Sequence, residues 1–361
     1  MEIQSIEQAS YTSPATILSQ KHYPSIDGLR AVSIVIVIVC HIFGSSLTQY
    51  FDGRIGVEIF FVISGFLITM LLLKEKTKYG TIALKKFYIR RVLRIIPVAM
   101  LFVVTLLILN QIFDLNITKR SFIMASLFLK NFQLKGDVQD WYFGHYWSLS
   151  VEEQFYLLFP VCLLLSLRKT TIGTIVIVII APIITYLGFV DIPFFNGHTA
   201  HLVLFIIINI IGKGIASILT GCLFSILLFK GYFEKLPSGK FVSLILFIVG
   251  LIIRSGSPIY VPYLSNAIFD FIIAYILVLN LNPTNYFARF LNLPFMIKLG
   301  VLSYSIYIWQ QIFTHDQPWG RLFKYADSPF INIPVLFLVS YLSYNFYEKK
   351  FLTFKDKFKR V

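Results

Sequence analysis

The stretch IGVEIFFVISGFLITMLLL at residues 55–73 runs directly into KEKTKYGTIALKKFYIRRVLR at residues 74–94. The first segment approaches the roughly 20 apolar residues that cross a bilayer as an α-helix, and Glu58 is its one ionisable side chain. The second carries Lys74, Lys76, Lys78, Lys85, Lys86, Arg90, Arg91 and Arg94 against a single acid, Glu75. Basic loops stay on the cytoplasmic side of a membrane, so the pair predicts a transmembrane helix whose C-terminal end faces the cytoplasm.

Similar blocks recur on both sides of this stretch. Residues 31–47, 95–113, 151–167, 172–190, 201–229, 241–253, 267–281, 297–314 and 331–346 are predominantly apolar, which with 55–73 gives about ten spans. The composition agrees: 57% of residues are hydrophobic and 14% charged, against about 25% charged in soluble domains. Too few charges remain to cover a soluble surface. The predicted fold class is therefore an all-α polytopic membrane protein. With both termini in the cytoplasm, Arg168-Lys169, Lys230, Lys235, Lys240 and the basic tail at 349–361 all fall on that side. The apolar run 121–129 is too short to cross and is expected to be re-entrant or interfacial. If it did cross, most later basic clusters would invert. Two blocks are irregular, since 241–253 is short and 201–229 is broken by Gly212-Lys213-Gly214.

Residues 1–25 form a short polar cytoplasmic segment, with no basic run that would mark a cleaved export signal. No repeat of fixed period divides the chain, which reads as one domain over 1–361. The net charge of +14 lies between the spans, where it suits membrane lipid and not nucleic acid. Cys40, Cys162 and Cys222 are odd in number and lie in apolar segments, as reduced core thiols do.

Ionisable groups in a hydrocarbon core are costly and mark functional sites. On an ideal helix His41 lies about 20° from Arg30, about 40° from Asp27, and roughly 16 Å beyond Arg30 along the axis. A neutral imidazole at that depth can take a proton from a hydroxyl near neutral pH, or can simply hydrogen-bond a neighbouring helix. Arg91 and Arg94 are one turn apart, just before the block that begins at Ile95. With Arg90 they suit a phosphorylated cytosolic ligand, or serve as lipid anchors. Glu152 and Glu153 are substrate-contact candidates, or first-turn charges of a helix capped by Ser150. Glu58 and Glu348 carry the same two readings, and Gly65 reads as a helix-packing residue. No metal site is read. The histidines lack a second ligand set, and His198 with His201 is a lone pair. Neither a phosphate-binding loop nor a nucleophile elbow is present.

In order along the chain, residues 26–31 leading to His41, 56–68, 88–97 and 146–160, with fainter 299–309 and 343–349, resemble the membrane-bound acyltransferase-3 family of bacterial O-acyltransferases. The resemblance implies transfer of an acetyl or other short acyl group from acyl-CoA to a hydroxyl. The acceptor it implies is a cell-envelope carbohydrate or a lipid-linked relative, and the location the bacterial cytoplasmic membrane. It makes the residue matching His41 the general base, with Arg30 required and Asp27 beside it. Arg91 and Arg94 fall on the acyl-CoA side. Trp147, Ser148, Glu152, Glu153, Glu58, Tyr307 and Glu348 fall on matched segments as substrate or structural positions. Two departures stand out: Gln310 replaces a histidine frequent in the family, and an acidic residue common near Gly221 is absent, leaving Lys213 as the odd buried charge. Many relatives also carry an extracytoplasmic hydrolase-like domain, for which no counterpart is read here, so this chain is expected to act alone or to pass its product on. The competing expectation is a transporter or flippase of a glycan or lipid-linked substrate, with His41 relaying protons.

Overall fold

The computed structural model describes residues 20, 22–47, 53–132, 140–189, 214–233, 239–255, 260–282, 284–320, 322 and 324–360. Among them there is no strand, and each described apolar block is helical. The helices are α1 (Pro24–Leu47), α2 (Arg54–Tyr79), α3 (Leu84–Phe113), a short α4 (Lys119–Ser126), α5 (Tyr146–Leu165) and α6 (Leu167–Phe189). They continue with α7 (Ile215–Phe229), α8 (Val242–Arg254), α9 (Leu264–Asn280), a short α10 (Tyr286–Leu291), α11 (Pro294–Thr314) and α12 (Pro329–Asp356).

Among the described residues six helices, α1, α2, α3, α5, α6 and α12, are long and apolar enough to cross a membrane. The other expected spans differ for physical reasons. Helices α7, α8 and α9 are apolar but only 15, 13 and 17 residues long, and 17 residues rise about 26 Å against a core of about 30 Å. Residues 201–213 of the longest expected block lie outside the described residues. Helix α11 has 21 residues but includes Lys298, Gln310 and Gln311. Helix α4, expected as a non-crossing segment, has 8 residues and rises about 12 Å. Large apolar side chains such as Ile108, Ile112, Leu157, Leu158 and Ile179 are exposed on the bundle's outside, where lipid rather than water suits them.

Helix α2 is the most buried of the six, with 72% of its apolar window inside the protein. Glycine lets it be so. A Cβ on Gly65 would overlap the Ile218 carbonyl of α7, and one on Gly221 would overlap the Val62 carbonyl of α2. The two backbones therefore touch through reciprocal glycines, the packing role expected for Gly65. Helix α1 meets α11 in the same way, because Gly300 faces the Asp27 carbonyl.

Two helix starts differ from the sequence expectation. Helix α3 begins at Leu84, so Arg90, Arg91 and Arg94 sit inside it and Pro97 is internal. Helix α5 begins at Tyr146 with no side-chain cap. Ser150 is not the cap: its hydroxyl donates to the Tyr146 carbonyl at 2.8 Å and accepts from Lys130 N at 3.1 Å. Glu152 and Glu153 thus lie beyond the first turn, so the helix dipole does not account for them. Near the end of α12 the backbone widens into a π-helical turn at Ser343–Glu348. There the Glu348 carboxylate accepts from Ser305 and Ser343.

Candidate active site

A cavity of about 140 Å³ opens among α1, α2, α3, α5 and α11 at the end of the bundle that holds the basic loop. Arg30 reaches it from α1, Arg91 and Arg94 from α3, Glu152 and Tyr156 from α5, and Tyr307 from α11. Spacing explains the α3 pair, since residues i and i+3 share a face. The Arg91 guanidinium lies 4.7 Å over the Tyr156 ring and 5.7 Å from the Phe87 ring centre, which holds a buried cation by cation–π attraction. Glu152 accepts from the Ser64 hydroxyl at 2.7 Å. Arg30 approaches Asp27 only to 3.5 Å, while Asp27 lies 2.6 Å from His22. Three guanidinium groups against one lining carboxylate leave the cavity an anion site by charge.

Not every candidate joins it. Arg90 donates to the Phe358 carbonyl at 2.7 Å and faces Glu75 at 3.5 Å, and Arg360 meets Glu75 at 3.0 Å. It ties the C-terminal tail to the basic loop. Glu153 has a buried Oε1 without a hydrogen-bond partner and is not among the lining residues. Glu58 and Trp147 belong to a second cavity, at the opposite end. Ser148 and Tyr307 mark the inner end of the arginine cavity, their hydroxyl oxygens 2.6 Å apart.

His41 sits on α1 beyond that inner end. Its Nδ1 lies 2.7 Å from Gln310 Oε1, and its ring meets Trp141 edge-on at 5.3 Å. Gln310 is three residues past Tyr307, about 4.5 Å along α11, so the cavity stops one turn short of the imidazole. A chain of amides fixes which way Gln310 points. Gln311 Nε2 donates to the Trp141 carbonyl at 2.7 Å, and Gln310 Nε2 donates to Gln311 Oε1 at 2.7 Å. A carbonyl can only accept, so each amide is oriented in turn and Gln310 presents oxygen to His41. The Nδ1 of His41 must then carry the proton. Its Nε2 is left as the basic nitrogen. Nearby His145, just outside α5, is held down at about pKa 3 by burial and secondarily by His41. It stays neutral and adds no charge beside His41.

The partners of His41 are the part that sequence reasoning missed. Two adjacent amides in an apolar helix were the available signal, because such groups are buried at a cost unless bonded. Asp27 and Glu348, the acids nearest to hand in the sequence reading, make no described bond to the imidazole.

Residues 23–346 match the family of an acyltransferase domain, acyltransferase-3. The chain is 28% identical over 315 residues to the O-acetyltransferase OatA of Staphylococcus aureus (strain NCTC 8325 / PS 47), covering 81% of this chain and 50% of that protein. It is 30% identical over 368 residues to the putative O-acetyltransferase SACOL0978 of Staphylococcus aureus (strain COL), covering 92% of this chain and 57% of that protein. The chain spans about half the length of the curated relatives it matches. No solved structure matches it significantly.

Proposed function

This chain belongs to the acyltransferase-3 family, and from that premise we propose that it moves an acetyl or other short acyl group from acyl-CoA to a hydroxyl of a cell-envelope carbohydrate. The observation that carries the reading is the juxtaposition of an anion-binding cavity and an oriented histidine along α1. An arginine-lined cavity ends one helical turn from a histidine whose Nε2 is left basic by an oriented amide. The basic loop favours a cytoplasmic setting for the arginine end, the compartment that supplies acyl-CoA. Arg91 and Arg94, with Arg30, hold the phosphorylated part of the donor, since guanidinium forks suit phosphate oxygens. The thioester then extends inward past Tyr307 toward His41.

In the transfer, the acceptor oxygen attacks the thioester carbon as His41 Nε2 takes the hydroxyl proton. The carbon–sulfur bond breaks and coenzyme A leaves as its thiol, the proton coming back from the imidazolium. Gln310 keeps the Nδ1 proton in place throughout. The names of the relatives, one an O-acetyltransferase and the other a putative O-acetyltransferase, favour acetyl as the group moved. The setting is the bacterial cytoplasmic membrane, with lipid around the apolar flank.

The test is direct. Purified protein in lipid nanodiscs is given radiolabelled acetyl-CoA and a panel of sugars, and label on sugar is counted. His41→Ala should lower the rate by about 10²–10⁴, the usual worth of a general base. A folded His41→Ala protein that transfers at the wild-type rate would refute the mechanism. In sealed proteoliposomes, sugar movement across the membrane with no labelled ester would favour transport instead.

A further inference from the structure

The second cavity, of about 330 Å³, lies at the bundle end opposite the arginines, among α2, α5, α6, α7 and α9. Its wall combines groups distant in sequence. Arg254 Nε and Nη2 grip the Glu58 carboxylate at 2.8 and 2.9 Å, and Asn266 Nδ2 donates to it at 3.2 Å. Ser217 donates to Asp270 Oδ2 at 2.7 Å. These bonds engage one side of each polar group. Asp270 Oδ1 and Asn266 Oδ1 remain buried with no hydrogen-bond partner within the protein, and Asp270 is only 3% exposed. Buried polar atoms are costly unless a partner meets them. Trp147 contributes a flat apolar ring to the same wall.

This chemistry selects a ligand class. The unpartnered atoms are a carboxyl and an amide oxygen, which a hydroxyl can meet as donor or as acceptor, and a flat indole favours a ligand with an apolar face. The nearby charges are largely paired: Arg254 with Glu58, and Lys130 with Asp140 at 2.8 Å. A neutral, hydroxyl-rich molecule meets these conditions better than an anion or a lipid tail. The position suits it too. Arg54 lines this cavity, and a Cβ placed on the adjacent Gly53 would lie 3.6 Å from His41 Nε2. Phe61 lines both cavities and meets Trp147 edge-on at 5.8 Å.

We propose that this second cavity is the acceptor site and takes a carbohydrate, whose hydroxyls pair with the Asp270 and Asn266 side chains while a sugar face lies on Trp147. The inference rests on the acyl-transfer reading above. Donor and acceptor then approach His41 from opposite ends of the bundle, with Phe61 and Trp147 as the partition between them.

The test uses the whole chain in nanodiscs, [¹⁴C]acetyl-CoA, and oligosaccharides released enzymatically from the envelope of the expressing cells. Asp270→Asn is near-isosteric and can still accept from Ser217, but it replaces the unpartnered carboxyl oxygen by an amide NH₂. Asn266→Ala removes the unpartnered amide oxygen. Each should raise the oligosaccharide KM about ten-fold, as loss of a buried hydrogen bond to substrate does, with the acetyl-CoA KM changed by less than about two-fold. If both variants keep the wild-type oligosaccharide KM, the cavity is not the acceptor site, although acyl transfer itself stands. If the wild type labels no oligosaccharide, the acyl-transfer reading falls and this assignment falls with it.

Discussion

Replacing Gln310 by alanine tests the amide chain at its most informative link. In the wild type, Gln310 Oε1 sits 2.7 Å from His41 Nδ1, and Gln311 and the Trp141 carbonyl hold its orientation. Alanine removes the acceptor without adding charge, so the imidazole remains but loses the bond that selects its tautomer and ring angle. One such bond is worth about 0.5–1.5 kcal/mol net, and about 1.4 kcal/mol is ten-fold in rate. Gln310→Ala should therefore lower kcat about three- to ten-fold and leave the acetyl-CoA KM near wild type. The loss is well short of that for His41→Ala, because the imidazole remains and a share of it still carries its proton on Nδ1. Gln311→Ala leaves Gln310 free to turn its NH₂ toward His41, which costs about two-fold if both orientations fill equally. The double variant should then be no worse than Gln310→Ala, a non-additivity expected of groups acting in series. The assay is single-turnover acetyl transfer in nanodiscs with the three variants side by side. Wild-type kcat in Gln310→Ala, under conditions where His41→Ala is inactive, would refute the argument. So would a raised acetyl-CoA KM at unchanged kcat, since that would make Gln310 a donor contact.

Substituting Arg91 or Arg94 by alanine should raise the acetyl-CoA KM about 10- to 100-fold, the scale of a lost charge-assisted bond of about 1.5–3 kcal/mol. Arg90→Ala, whose partners are Phe358 and Glu75, should leave that KM unchanged, and steady-state kinetics separates the cases. Gly65→Ala forces a methyl group against the Ile218 carbonyl and should destabilise the protein by about 1–3 kcal/mol. A lowered thermal unfolding midpoint in detergent is the readout, and an unchanged midpoint would mean that α2 and α7 can separate freely.

The sequence carried the helices and their chemistry further than it carried their meetings. A block such as 55–73 has one low-energy solution in lipid, because only an internally bonded helix satisfies its backbone there. The helical period likewise put Arg91 and Arg94 on one face, and both line the arginine cavity. The same period put Arg30 and His41 on one face of α1, yet the two serve different neighbourhoods. A helix face gives a direction; the neighbour it meets is chosen by packing. Hence His41 finds Gln310 at a separation of 269 residues, and Glu58 finds Arg254 at 196, which no local spacing announces. His198, His201 and Lys213 lie outside the described residues, so their sequence readings gain no geometry.

The choice of an amide beside His41 also follows from the medium. An aspartate or glutamate there would hold the imidazole more strongly, but a carboxylate in a low-dielectric span carries a large desolvation cost. It would also favour the imidazolium over the free base, the form that the proposed transfer requires. A neutral glutamine accepts the same Nδ1 proton at far lower cost, provided that something stops its two ends from exchanging. Gln311 and the Trp141 carbonyl supply that constraint. The departure from histidine at position 310 is on this account not a lost catalytic group. It is a neutral means of holding a neutral base, and it works only because a fixed carbonyl at the far end of the chain reads out which end of each amide is which.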